Sequence, residues 1–251
     1  MHAFEFPLNE KFRSYLRADE LLQRMRTLGQ SDDPLHHHFA LQTLFELQEM
    51  LNRTDIKGEL IRDLERNRSS LTALRNNEKI EQTKLEEVLA EVITCHERLT
   101  SLGGKPGQGL SEIDWVSAVR GRIGIPAGTC GFDLPAYQFW QRQPAQQRQS
   151  DLQALQAHFE SIQNPISFVL NMVRQSGESL AVIAQGGSIQ YAIPNGRPVQ
   201  LLRLVVRDDV ACVPEISANR LNIAIRWMDV SDEYRLTPHQ QDVSFQLSLC
   251  H

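Results

Sequence analysis

With 251 residues, the chain has room for one large domain or two modest ones, each able to bury a core. An apolar content of 41% and a charged content of 23% are ordinary for a globular protein and exclude wholesale disorder. A formal net charge of −5 argues against a surface that binds nucleic acid throughout, while leaving room for local basic patches.

The N-terminus, Met1-His-Ala-Phe-Glu-Phe-Pro7, has no basic segment followed by an apolar stretch, so no signal peptide is expected. No apolar run approaches the ~20 residues of a membrane span. Asp33-Pro34 reads as an N-cap followed by proline in the first turn. Leu35, Phe39, Leu41, Leu44, Phe45, Leu47 and Leu51 then form one broad apolar face. A second helix is predicted from Ile56, Leu60, Ile61, Leu64, Leu71 and Leu74, and a third from Leu85, Val88, Leu89, Val92, Ile93 and Leu99. Such stripes bury against one another, which predicts a helical bundle. The glycine-rich stretch 103–109 ends this run, and Ser111 with Asp114 reads as a capping box. A turn-rich stretch at 124–135 precedes the aromatics Tyr137, Phe139 and Trp140. Two more helices are predicted over about 145–162 and 165–175, the second opening at Asn164-Pro165.

After Ser176-Gly177 the period changes. Residues 179–184 and 188–193 flank Gln185-Gly-Gly187, a hairpin signal, and Pro194-Asn-Gly-Arg-Pro198 has turn chemistry. Residues 201–207, 211–216, 221–228 and 243–249 read as strands. The fold class is therefore α+β: a mainly helical domain at 1–177, then a mainly antiparallel β domain at 178–251.

Catalytic chemistry is hard to find. The loop at 103–109 has no closing Gly-Lys-Ser/Thr and follows a helix, so it reads as a connection and not a phosphate cradle. His36, His37 and His38 are adjacent on a helix and point in different directions, which favours a solvated or partly packed helix start over a metal site. Cys95, Cys130, Cys212 and Cys250 form no Cys-x-x-Cys pair, consistent with reduced thiols in the cytosol; Cys95 reads as a buried structural thiol. The sequence thus gives no catalytic residue, metal ligand or cofactor motif.

Positive charge, by contrast, is organised. In the strand around 220–227, Leu221, Ile223, Ile225 and Trp227 alternate with Arg220, Asn222, Ala224 and Arg226, so one face goes to the core and the other presents two guanidinium groups. Arg203 and Arg207 share a face of the strand at 201–207. A second cluster holds Lys11, Arg13, Arg17, Arg24 and Arg26, with Arg13 and Arg17 four apart on one helical face. A third holds Arg120, Arg122 and Arg142. Arginine forks suit carboxylates, so an acidic partner segment fits these clusters.

Several stretches resemble the Z-ring-associated protein D (ZapD) family of bacterial division regulators. They are Phe6-Pro-Leu-Asn-Glu-Lys-Phe-Arg-Ser-Tyr-Leu-Arg17, Val119-Arg-Gly-Arg122, Ile125-Pro, Phe132-Asp-Leu-Pro135 and Trp140, then Asn164-Pro165, Arg174-Gln-Ser176, Leu202-Arg-Leu204 and Ile223-Ala-Ile-Arg226. They occur in order over nearly the whole chain. The resemblance implies a cytoplasmic homodimer recruited to mid-cell, with no catalysis, which binds the C-terminal tail of the tubulin-like protein FtsZ and bundles its filaments. Carried over by position, Arg226 leads the tail-binding candidates, with Arg53 and Arg17; Arg220 matches less well, because relatives place a second arginine where this chain has Asn222. Relatives also carry histidine where this chain has Gln138. From the charge pattern, Arg13, Arg120 and Arg203 join the candidates. Two rival functions follow from the residues alone: an interdomain enzyme site near Cys130, Asp133 and Trp140, and a nucleic-acid regulator using the arginine face and Trp227.

Overall fold

The computed structural model describes every residue except Asn195, Arg197 and Arg220, so the candidate Arg220 and part of the turn predicted at 194–198 lie outside the described residues. The fold is α+β, with helices in the N-terminal part and antiparallel sheets in the C-terminal part. Two compact units are formed, one from Arg17–Val169 and the other from Met1–Leu16 together with Leu170–His251. The division at 177/178 read from the sequence sorts elements by type, whereas the compact units follow packing.

The helical unit contains most of α1 (Glu10–Gly29), then α2 (Pro34–Arg53), α3 (Ile56–Thr72), α4 (Gln82–Ser101), α5 (Asp114–Arg122), α6 (Pro135–Gln141), α7 (Ala145–Ala157) and the start of α8 (Glu160–Ser176). Asp33 caps α2 as expected, its side chain accepting from the Leu35 amide at 2.8 Å with Pro34 behind it. Most of each apolar stripe is buried, with Leu41, Leu44 and Leu47 of α2, Leu60 and Leu64 of α3, and Leu89, Val92 and Leu99 of α4. Leu35 and Phe39 of α2 and Ile93 of α4, expected on the same faces, are exposed. No helix among the described residues is long and apolar enough to cross a membrane.

Two predicted helix starts are corrected. Ser111 does not cap α5; it lies in a 3-10 turn at Gln108–Glu112, its hydroxyl donates to the Gln108 carbonyl, and Ile113 occupies the cap position. Pro165 lies inside α8, which begins five residues earlier at Glu160. The predicted 145–162 helix breaks at His158-Phe159 because tertiary forces act there. The Phe159 ring is fully buried, and the His158 carbonyl accepts from the Gly107 amide at 3.2 Å. Gly107 stands at φ +78° against the Phe159 ring, where a Cβ would collide.

His37 was expected near solvent but is buried. Its Nε2 lies 2.5 Å from the Ser31 carbonyl, and its Nδ1 accepts from Arg148 Nε at 2.9 Å. His38 lies on the Tyr137 hydroxyl at 2.8 Å, and Trp115, Tyr137 and Trp140 stack beside both rings. Burial holds His37 below the ordinary histidine value of 6.5, with the Arg148 charge acting in the same direction; burial lowers His38 too. A lowered folded pKa means that the unfolded chain takes up the proton first on acidification. Stability contributed by neutral His37 and His38 is therefore complete above pH 6.5 and declines as pH falls below it. Urea midpoints measured from pH 7.5 to 5 should fall, and His37→Gln, which keeps an acceptor for Arg148, should flatten the decline.

The β unit is a two-sheet sandwich. One sheet has the order β1 (His2–Pro7), β4 (Leu201–Val206), β8 (Val243–Cys250), β2 (Ser179–Ala184). The other has β3 (Ser188–Ala192), β6 (Asn222–Val230), β5 (Val213–Ala218), with β7 (Leu236–Pro238) also on β6. Leu202, Leu204, Phe245 and Leu247 of the first sheet enclose a core with Ile223, Ile225 and Trp227 of the second. β1 was not anticipated; Phe4 and Phe6 pack on this core while Glu5 points outward to Arg174 of α8, bonded at 2.8 Å by two nitrogens.

The hairpin predicted at 185–187 is also corrected. β2 pairs with β8 and β3 with β6, so the Gln185-Gly-Gly turn passes the chain between sheets with only a Gln185–Ser188 bridge. Gly187 is required there: at φ +75° it sits against the His239 carbonyl, and its own carbonyl accepts from the Trp227 amide at 2.7 Å. Leu221, predicted in the core, is 66% exposed because β6 begins one residue later, at Asn222.

Candidate functional site

Alternation along β6 sends Ile223, Ile225 and Trp227 inward, and leaves Asn222 and Arg226 exposed on the outer face. Register then fixes Arg226's neighbours: Ser188 of β3 on one side and Glu215 of β5 on the other. Arg226 Nη2 pairs with Glu215 Oε2 at 3.1 Å, and both side chains are more than half exposed. Around them the face carries the short residues Ser188, Ala224 and Ser217, with the longer Gln190 on the other side of Ala224. A guanidinium framed by small side chains leaves an extended segment room to lie across the strands.

At one end of the sandwich, a cleft of about 610 Å³ is lined by Phe6, Asn9 and Arg13 from the N-terminal segment, and by Ile193, Gln200 and Asn219. Asn9 Nδ2 donates to Gln200 Oε1 at 2.8 Å, which ties the two walls. Arg13 reaches Glu10 at 3.1 Å and lies 6.0 Å from the Phe6 ring centroid. Asn219 precedes the undescribed Arg220 and accepts from the Leu221 and Asn222 amides. This cleft escaped the sequence reading, since it needs β1, β3 and β5 to end together.

The other candidates are not gathered around Arg226. Arg203 lies on the outer face of the opposite sheet, on β4, beside Glu5 at 3.7 Å and half withdrawn from solvent. The sandwich therefore points Arg203 and Arg226 away from each other. Arg17 is exposed midway along α1, and Arg53 ends α2 in an ion pair with Glu49. Arg120 is exposed on α5; neither it nor Arg17 has an ion-pair partner among the described residues.

The rival sites fare differently from their expectation. Cys130, Asp133 and Trp140 all belong to the helical unit. Asp133 is held by Arg122 at 2.7 Å, and Trp140 donates to Asp151 at 2.9 Å. Trp227 is fully buried and is withdrawn from any ligand on the sheet face. Cys95, Cys212 and Cys250 are buried, and burial pushes each thiol up, away from the nucleophilic thiolate. Among the described residues no group of His, Cys, Asp and Glu is placed to hold a metal.

Fold and site together define an α+β protein that presents arginines on several separate surfaces. A family model described as ZapD, cell division protein, matches residues 16–226. The chain is 39% identical over 253 residues to the cell division protein ZapD of Ralstonia nicotianae, covering all of both chains. It is 38% identical over 252 residues to that of Ralstonia pickettii, again over all of both chains. With that of Chromobacterium violaceum the identity is 39% over 251 residues, covering all of this chain and 99% of the other. The chain belongs to the ZapD family of cell division proteins.

Proposed function

We propose that the chain is a non-enzymatic cytoplasmic adaptor, recruited to mid-cell, that binds the C-terminal tail of FtsZ and links FtsZ filaments as a homodimer. The observation that carries this reading is Arg226, exposed at the centre of a sheet face and, among the described residues, ion-paired only with the surface carboxylate Glu215. An exposed ion pair contributes no more than about 1 kcal/mol, so a tail carboxylate displaces Glu215 at little cost. Arg13, in its cleft, adds a second cation within the same compact unit. Two tail sites on a dimer raise apparent affinity through effective concentration without new contacts.

The test is a titration of a fluorescent FtsZ tail peptide at two salt concentrations. Arg226→Glu is expected to weaken binding roughly tenfold or more at low salt, the worth of one hydrogen-bonded charge. Glu215→Gln, which frees Arg226, should tighten it. Unchanged affinity in both variants would remove the β6 face from the reading. Filament bundling, followed by sedimentation, should fall in step with peptide affinity.

A further inference from the structure

A groove runs along the face of α1 that carries Asp19, Gln23 and Arg26 and on to Gln30. Its wider part, about 570 Å³, is walled by Arg26 and Gln30, by Gln149, Gln153 and Gln156 from α7, and by Gln163 of α8. A narrower part of about 300 Å³ continues from Arg26 and Gln163 to Asp19, Gln23 and Ser167. From 19 to 30, at 1.5 Å per helical residue, the groove is about 16 Å long, which matches about five residues of extended chain. Its floor is apolar, formed by the buried Met25 and Leu152.

The walls have one dominant chemistry. A primary amide carries both a donor and an acceptor, so it complements a peptide backbone whatever the sequence of that peptide. Gln149 is already used, bonding the Gln30 and Ser31 carbonyls and Asp32 at 3.1 Å each. The Gln156–Gln163 bond is long, at 3.4 Å. The side-chain amides of Gln30, Gln153 and Asn164 bond to none of the described residues, and neither does the Arg26 guanidinium. Asp19 at one end and Glu160 at the other repel a polyanion, so the charge pattern admits a single carboxylate, at Arg26. No aromatic ring lines either part, which leaves no platform for a nucleobase or a sugar.

We infer that this groove binds an extended segment of a partner protein, about five residues long, with one Asp or Glu side chain on Arg26 and its backbone bonded by the glutamine amides. The inference is independent of the Arg226 reading, because all of the groove's residues belong to the other compact unit.

The test uses the full chain, isotope-labelled, with the side-chain amide signals of Gln30, Gln153 and Gln163 as reporters. The probes are acetyl-Ser-Ala-Asp-Ala-Ser-amide, the same peptide with Asn at its centre, and acetate alone. The Asp peptide should shift the three signals together and saturably, and the Asn peptide should bind at least about tenfold more weakly. Arg26→Ala should abolish the difference between the peptides, while Arg226→Glu should leave it intact. Arg26 and Gln153 are exposed, so Arg26→Ala and Gln153→Glu should keep the parent's thermal unfolding; Gln153→Glu should weaken the Asp peptide further. Three results would overturn the inference. The first is acetate reproducing the shifts, which marks an anion site only. The second is movement of the signals with protein concentration alone, which marks a second copy in the groove. The third is no movement at millimolar peptide.

Discussion

Arg148→Ala is expected to destabilise the helical unit by about 3–5 kcal/mol, the sum of several buried acceptors left without donors. Arg148 looks like a surface residue in a glutamine-rich helix, yet only 4% of it is exposed. Its guanidinium donates to His37 Nδ1 at 2.9 Å, to the Asp32 carbonyl at 2.6 Å, and to the Gln141 and Gln143 carbonyls. Burying a cation is costly unless its donors are all satisfied. Here satisfaction comes from carbonyls at two chain bends and one neutral histidine, with no carboxylate among these acceptors. The planar fork holds together the turn before α2 and the bend between α6 and α7. Lysine keeps the charge but not the fork, so Arg148→Lys should retain less than half of the lost stability. Urea unfolding of the three proteins measures this, and full recovery with lysine would show that charge alone matters.

Trp227→Ala should cost about 3–5 kcal/mol, as expected for emptying the space of a large buried aromatic. The ring is fully buried where the two sheets meet, 5.4 Å from the Phe245 ring and edge-on to Phe4 at 6.4 Å. Its indole Nε1 is buried and finds no acceptor among the described residues. Trp227→Phe removes that unpaired donor along with part of the ring, so it should cost at most about 2 kcal/mol. The pair of variants separates ring packing from hydrogen bonding. Equal losses in thermal unfolding would show that Nε1 has a partner of weight. Tail binding, scored on the folded fraction, should survive Trp227→Phe, because the residue faces away from Arg226.

Much of the molecule was legible in the residues taken alone. Most of the apolar stripes of α2, α3 and α4 lie where the 3.6-residue period put them, Leu35, Phe39 and Ile93 being the exposed exceptions, and Asp33-Pro34 begins α2 as its chemistry demands. Alternation gave β6 its inner and outer faces, and so the exposure of Arg226. These features depend on neighbours within a turn of helix or two residues of strand, and a local pattern specifies them. The family resemblance was also visible, since motifs in order along a chain require no folding to be seen.

Other features depended on residues far apart in the chain. The stretches 179–184 and 188–193 carry a hairpin's pattern, yet β2 and β3 join different sheets, β2 pairing along its whole length with β8 and β3 with β6, partners tens of residues away in the chain. His37 and Arg148 are 111 residues apart, and neither signals burial until the other supplies its hydrogen bond. The same holds for Glu215 opposite Arg226, which only the β5–β6 register decides. The residues alone therefore determined most of the elements and buried faces, and the arginines available for binding. The tertiary structure decided which strands pair and which polar groups are buried. It also decided which arginines already hold a carboxylate, as Arg226 holds Glu215, because those outcomes turn on long-range pairing free energy that no local pattern encodes.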